Sequence, residues 1–279
     1  MELELDIKPG QSLELLKELH ILTRDGRMNQ DSRRKLKQVN HLYQFIEPLL
    51  QSIQLKHPDI QLVDHGAGKS YLGFILYDLF FKAQDTASHI YGIETREELV
   101  QHSQQLAVRL NFSGMSFFQL SVAESIHSNS LPARVDIVTA LHACDTATDD
   151  AIQFALHKQA QFIVLVPCCQ AEVAAALRKN KGHELSRNML TELWRHPIHT
   201  REFGSHLTNV LRCLQLEAHG YQVTVTELVG WEHSMKNELI IASYKNLPRD
   251  RAAQRLNEVL KTLGLEEMTS RFFVRGEST

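Results

Sequence analysis

Two hydrophobic rhythms alternate along this chain. Near the start, Val39, Leu42, Phe45, Ile46, Leu49 and Leu50 recur three and four residues apart, the spacing of one helix face. This predicts a helix over about 29–55 and a shorter one over 11–22, with Pro48 expected to bend or divide the longer. From residue 60 onward, short runs that are almost wholly apolar take over. IQLVDHG (60–66), HIYGIE (89–94), MSFFQLS (115–121), VDIVTALHA (135–143) and QFIVLVPCC (161–169) read as buried strands. Helical stretches over 69–82, 96–110 and 146–159 fall between them. Apolar strands alternating with helices predict a parallel sheet covered on both faces.

Residues 170–220 read as mostly helical, with a break at Pro197. The pattern then changes. YQVTVTELVG and NELIIASYK are two strands joined by WEHSMK with no helix between, which makes an antiparallel hairpin. An amphipathic helix over about 249–263 follows. There is no internal repeat and no clear linker. The expectation is a doubly wound α/β domain over 56–279 with an N-terminal helical cap over 1–55.

Composition changes this picture little. Apolar residues make up 43% and charged residues 23% of the 279, as in an ordinary globular protein. A net charge of −3 argues against overall attraction to nucleic acid or an anionic membrane. A local basic patch remains: RRKLK at 33–37, with Arg24 and Arg27 nearby, reads as a nucleic-acid contact or as a solvated helix face. The four cysteines, Cys144, Cys168, Cys169 and Cys213, have no disulfide spacing. No basic-then-apolar leader pattern opens the chain, and no apolar run approaches the ~18 residues of a membrane span. A reduced, cytoplasmic protein is expected.

The stretch LVDHGAGKSYLGF ends its glycine turn in GKS, like a P-loop. A P-loop needs its first glycine five residues before the second, so that backbone N–H groups can wrap a phosphate. That position is Val63, still inside the strand. Nor does a later strand end in the Asp that would organise Mg²⁺: the fourth ends in His142, the fifth in Pro167 and two cysteines. The better reading is a tight bend, Asp64-His65-Gly66-Ala67-Gly68, where two glycines let a ligand approach the backbone at the carboxyl edge of the sheet. One β-α-β unit later, Glu94 ends the second strand, where a carboxylate can accept both hydroxyls of a ribose. The third glycine of a dinucleotide fingerprint is replaced by Tyr71, with Gly73 close by. As a plain alternative, Asp64 is a turn residue and Glu94 a solvated strand-end charge.

The segments VDHGAGKSYL, YGIE, QLSVAES, VTALHACDTATDDAI and the pair VTVTELVG…NELIIAS resemble the class I S-adenosylmethionine-dependent methyltransferases. Within that class, LHACDTATD and VPCCQ resemble a subgroup that includes tRNA 2′-O-methyltransferases of the acceptor stem. The same subgroup holds the methyltransferase-like domain joined to a glutathione-transferase C-terminal domain. The resemblance implies a seven-stranded sheet of order 3-2-1-4-5-7-6. It implies S-adenosyl-L-methionine lying over the carboxyl ends of strands one to four. Gly66 and Gly68 would pass its methionine part over the bend, and Asp64 would act through the turn and the ammonium end. Glu94 would bind the ribose, and Ser121, Val122 and Ala123 would flank the adenine, with Glu124 a lesser candidate. Leu141 and His142 would supply backbone near the ammonium and the methyl. Lys69 would point towards the carboxylate or cap the sheet edge.

In that strand order, the loops LHACD and VPCCQ leave the sheet side by side. Three chemistries fit His142, Cys144, Asp145, Cys168 and Cys169 there. In direct transfer, His142 or Asp145 takes the acceptor's proton or holds its hydroxyl, amide or amine. In covalent catalysis, a thiolate such as Cys168 adds to the acceptor. As a third choice, His142 and the cysteines ligate a metal. The plain alternative is buried thiols, with Asp145 or Thr146 capping a helix. Lys236 and Asn237, in the hairpin turn, either reach the acceptor, support the Pro167 loop or form a plain polar turn. Trp231 and Trp194 can stack on a base or fill core and rim positions. The reading that emerges is a methyltransferase acting directly on RNA, with no resident metal. A protein or small-molecule acceptor, and a non-catalytic RNA- or protein-binding module, are the alternatives.

Overall fold

The computed structural model describes residues 7–8, 10–27, 30–84, 86–141, 143, 145–167, 170–179, 195–228 and 238–274. Seven strands form one sheet: Gln61–His65 (β1), His89–Glu94 (β2), Met115–Gln119 (β3), Ile137–Leu141 (β4), Phe162–Val166 (β5), Tyr221–Glu227 (β6) and Glu238–Tyr244 (β7). Their order is β3-β2-β1-β4-β5-β7-β6, as the resemblance implied. β1 to β5 pair in parallel, and β7 runs antiparallel between β5 and β6.

The order follows from where the chain goes after β1. It steps outward through β2 to β3, then returns to the other side of β1 as β4. The two connections diverge and leave a crevice at the carboxyl ends of β1 and β4. Register puts Asp64 beside Gly92 on one side and Thr139 on the other.

Alternation along β1 sends neighbouring side chains to opposite layers. Leu62 joins a core with Ile90 and Ile137 of the sheet, Leu15 of helix Leu13–Glu18 (α1), Leu50 and Ile53 of Gln30–Gln54 (α2), and Phe74 of Tyr71–Leu76 (α3). Val63 joins the opposite core, with Val138, Ile163 and Ile152 of Thr146–His157 (α6). Each such buried side chain contributes about 1.5–3 kcal/mol. A third cluster joins Glu172–Lys179 (α7), Pro197–Ala218 (α8) and Asp250–Thr262 (α9) through Leu177, Leu211 and Leu256.

Several expectations change in detail. The helix expected over 11–22 is α1 alone. His20 turns left-handed (φ 53°), and the N–H groups of Ile21 and Leu22 fold back onto the Leu16 carbonyl. α2 is not divided: it continues past Pro48 to Gln54. The helix expected over 69–82 starts at Tyr71, because Ser70 is left-handed (φ 50°), and it widens into a π turn over Tyr77–Phe81. Asp78 in that turn is buried. It accepts the Ser12 N–H at 2.7 Å and pairs with Lys82 at 2.9 Å, fastening the start of α1 to the π turn. Pro197 opens α8, where its missing N–H costs nothing.

Two helices flank β3: Glu97–Arg109 (α4) before it and Val122–His127 (α5) after it. α5 was not expected. Among the described residues, no helix is long and apolar enough to cross a membrane.

Candidate functional site

The bend after β1 turns on left-handed residues, with φ of 66° at Gly66 and 58° at Gly68. Both values suit glycine, which has no Cβ to clash. The Ala67 N–H bonds the Ile93 carbonyl at 2.9 Å, which sews the bend to the end of β2. A Cβ built on Gly66 would lie 3.3 Å from the Ala143 Cβ, so the bend runs against the chain leaving β4. A Cβ on Gly73 would lie 2.5 Å from the Ser70 Oγ. Gly73 therefore leaves room for the Ser70 hydroxyl at the start of α3.

Asp64 is turned inward. It is 2% exposed. The Thr139 hydroxyl donates to its Oδ1 at 2.8 Å and the Ser70 hydroxyl to its Oδ2 at 3.3 Å. Burial pushes its carboxyl up to about 6, against the downward pull of hydrogen bonds from Thr139, Ser70 and the Gly73 N–H. It braces the bend from below. His65 faces the other layer, its ring centroid 5.6 Å from that of Phe154. Neither ring nitrogen has a hydrogen-bond partner. Burial pushes this imidazole down to about 4, against an upward pull from Glu94.

Glu94 meets the bend directly. The Gly68 N–H donates to its Oε2 at 2.8 Å. The N–H groups of Thr95 and Arg96 donate to Oε1 at 3.0 and 3.1 Å. Burial alone would raise this carboxyl, but the Arg96 side chain and the Arg96 and Gly68 N–H groups together hold it below the usual carboxylate range. It stays ionised at neutral pH. The expected pairing of a glycine bend with a strand-end acid is therefore a bonded contact.

Other expected residues fall as follows. Lys69 is exposed. Ser121 is exposed and caps α5 in a reciprocal box: its Oγ accepts the Glu124 N–H at 3.4 Å, while its own N–H donates to Glu124 Oε2 at 2.7 Å. Glu124 is thereby committed to the cap. The backbone of Val122 opens that helix; its side chain lies outside the described residues. Leu141 ends β4, half-buried and opposite Val166. His142, Cys144, Cys168, Cys169, Lys236, Asn237, Trp231 and Trp194 lie outside the described residues.

Asp145 is described, and its backbone is unusual: φ 52° and ψ −123°, a conformation that costs a non-glycine residue about 1–3 kcal/mol. Bonds from beyond its own helix hold it there. Its Oδ1 accepts the Ala171 N–H at 2.9 Å, and its carbonyl accepts Arg212 Nη2 at 2.9 Å. Arg212, fully buried on α8, also clasps Asp149 through Nε at 2.7 Å and Nη2 at 2.8 Å. From Arg212 the network continues. Its Nη1 reaches Asn209 Oδ1 at 3.1 Å, which also accepts Gln170 Nε2 at 2.8 Å, while Asn209 Nδ2 donates to Glu238 at 2.7 Å. One buried guanidinium thus ties together the chain leaving β4, the chain leaving β5 and the start of β7. These are the segments the sequence brought to one edge. The guanidinium itself was missed, though Arg212 sits in the buried stripe of α8 with Thr208, Leu211 and Gln215.

A family model described as a methyltransferase domain matches residues 34–176, just over half of the chain. This chain belongs to that family. The match runs from α2 to α7 and includes the bend, Glu94 and Asp145. A curated relative from Drosophila pseudoobscura pseudoobscura, a glutathione S-transferase C-terminal domain-containing protein homolog, is 24% identical over 213 residues, covering 69% of this chain and 34% of its own length. The Mus musculus protein of that description is 24% identical over 236 residues, 78% of this chain and 34% of its own. The chain thus spans about a third of the length of these relatives. They bear out the resemblance to the methyltransferase-like domain joined to a glutathione-transferase C-terminal domain. Among solved structures, the magnesium protoporphyrin IX methyltransferase of Synechocystis PCC 6803, with bound SAM, is similar at TM-score 0.47 and 13% identity, over 86% of this chain and 100% of that one.

Proposed function

We propose that this methyltransferase domain uses S-adenosyl-L-methionine and transfers the methyl group directly to RNA. One observation carries the cofactor reading: the Glu94 carboxylate reaches the Gly68 N–H at 2.8 Å in the crevice where the strand order reverses. An acid positioned there suits the two hydroxyls of a ribose. Gly66 and Gly68 leave room for the methionine part above the bend, while Asp64 holds the bend's shape from beneath. The backbone of Leu141, Ser121 and Val122 lines the remaining path. Family membership supports the same cofactor.

Bound in that crevice, the cofactor supplies an electrophilic methyl group. The chain has to align the acceptor and receive its proton. Asp145 stands at the right edge with Oδ1 committed to Ala171; among the described residues its Oδ2 is left to accept a proton or a hydrogen bond. His142 and Lys236 remain candidates from the sequence. RNA is supported by the exposed Arg24, Arg27, Arg33, Arg34 and Lys37 around the start of α2, cations suited to phosphate contacts.

The test is to incubate the protein and tritiated S-adenosylmethionine with separated RNA, protein and small-molecule fractions from cells lacking it. Label in RNA is expected. Label in protein or small molecules moves the acceptor. Cofactor binding with no turnover in any fraction makes the chain a binding module.

A further inference from the structure

The Glu94 carboxylate is crowded. Besides its three backbone donors and the Thr95 hydroxyl on Oε1 at 3.3 Å, it receives Arg96 Nε on Oε1 at 3.1 Å and Arg96 Nη2 on Oε2 at 3.4 Å. A carboxylate offers about four lone-pair sites. The Thr95 and Arg96 N–H groups take two on Oε1 and the Gly68 N–H takes one on Oε2, and these three belong to the backbone of the bend and the α4 entry. They cannot leave without unmaking the fold. The guanidinium can, because its side chain is 61% exposed. It also lies over the bend: its Nη2 is the nearest atom to a Cβ built on Gly68, at 4.0 Å. Arg96 thus covers the oxygens, and the glycine, that a ribose would need.

We propose that Arg96 regulates this site as an internal competitor, its guanidinium holding the Glu94 carboxylate until a nucleoside's hydroxyl displaces it. This rests on the cofactor reading above. Displacement is easy, because the guanidinium side of the pair faces solvent, and a pair at the surface shifts an equilibrium by about fivefold. Arg96 therefore tunes affinity. It also makes affinity respond to salt, which screens an exposed pair. The backbone N–H of Arg96 still bonds Glu94 when the side chain is removed, and the side chain makes no cap bond at the start of α4, so Arg96→Ala keeps the fold.

The experiment is titration calorimetry of the full chain with S-adenosylhomocysteine at low and high salt. Wild type, Arg96→Ala and Glu94→Ala are compared. Arg96→Ala is expected to bind about three- to fivefold more tightly than wild type at low salt, with the gap closing at high salt, while Glu94→Ala binds most weakly. Equal or weaker binding by Arg96→Ala, with wild type and Glu94→Ala still well separated, overturns the competitor and leaves the cofactor reading standing. Failure of wild type and Arg96→Ala alike to bind overturns both.

Discussion

Asp64 and His65 are adjacent, buried on opposite faces of β1, and displaced in opposite directions: Asp64 from 3.8 up to about 6, His65 from 6.5 down to about 4. Each displacement corresponds to about 3 kcal/mol, at 1.36 kcal/mol per pH unit. The signs oppose. Asp64 holds its proton more tightly when folded, so its contribution to stability is fully present below about pH 3.8 and is lost as pH rises through about 6. His65 binds its proton less tightly when folded, so its contribution is present above pH 6.5 and is lost as pH falls through about 4. Between about pH 4 and 6 the folded pair carries one proton on Asp64, and the unfolded pair one on His65. The two effects cancel in the wild type. Single variants should uncover them. Asp64→Asn leaves His65 alone, so its stability relative to wild type should fall by about 3 kcal/mol between pH 6.5 and 4. His65→Phe leaves Asp64 alone, so its relative stability should rise by about as much. Urea unfolding at half-unit intervals from pH 4 to 7 reads both. The constant offset from altered packing drops out, because only the slopes are compared. Two variant profiles parallel to the wild type would refute the assigned burial of the pair.

Glu94→Ala should weaken S-adenosylhomocysteine binding by about 1.5–3 kcal/mol, the scale of hydrogen bonds to a charged group; unchanged affinity in calorimetry removes the ribose role. Arg212→Met should cost about 3–5 kcal/mol in urea unfolding, because Asp149 is left buried and unpaired, and Asp149→Leu in the same chain should recover part of that loss. A loss under 1 kcal/mol would mean that the network is not stabilising. Cys168→Ser and Cys169→Ser should each leave methyl transfer measurable if transfer is direct; an inactive variant that still binds cofactor would revive the covalent route.

The sheet was legible because its strands are short apolar runs with breakers at both ends, and the change from helices to a bare hairpin marked β6 and β7. The bend and Glu94 were legible for a local reason: both sit at strand ends, one β-α-β unit apart. α5 escaped although its capping box, Ser121-Val122-Ala123-Glu124, is written in the sequence. Six residues carry too little periodicity to announce a helix, and Ser121 had been read for the adenine. The inward turn of Asp64 depended on Thr139, 75 positions away, and the Asp149–Arg212 clasp spans 63. Contacts at such separations have no local signature. A charged residue in an apolar helix stripe was the one available hint, at Arg212.

The most direct test of the central claim is a crystal structure of the chain soaked with S-adenosylhomocysteine. The nucleoside is expected over the bend after β1, its ribose on the Glu94 carboxylate and the Arg96 guanidinium moved aside. Density for the nucleoside elsewhere, or a triphosphate taken up at the bend in its place, would contradict it.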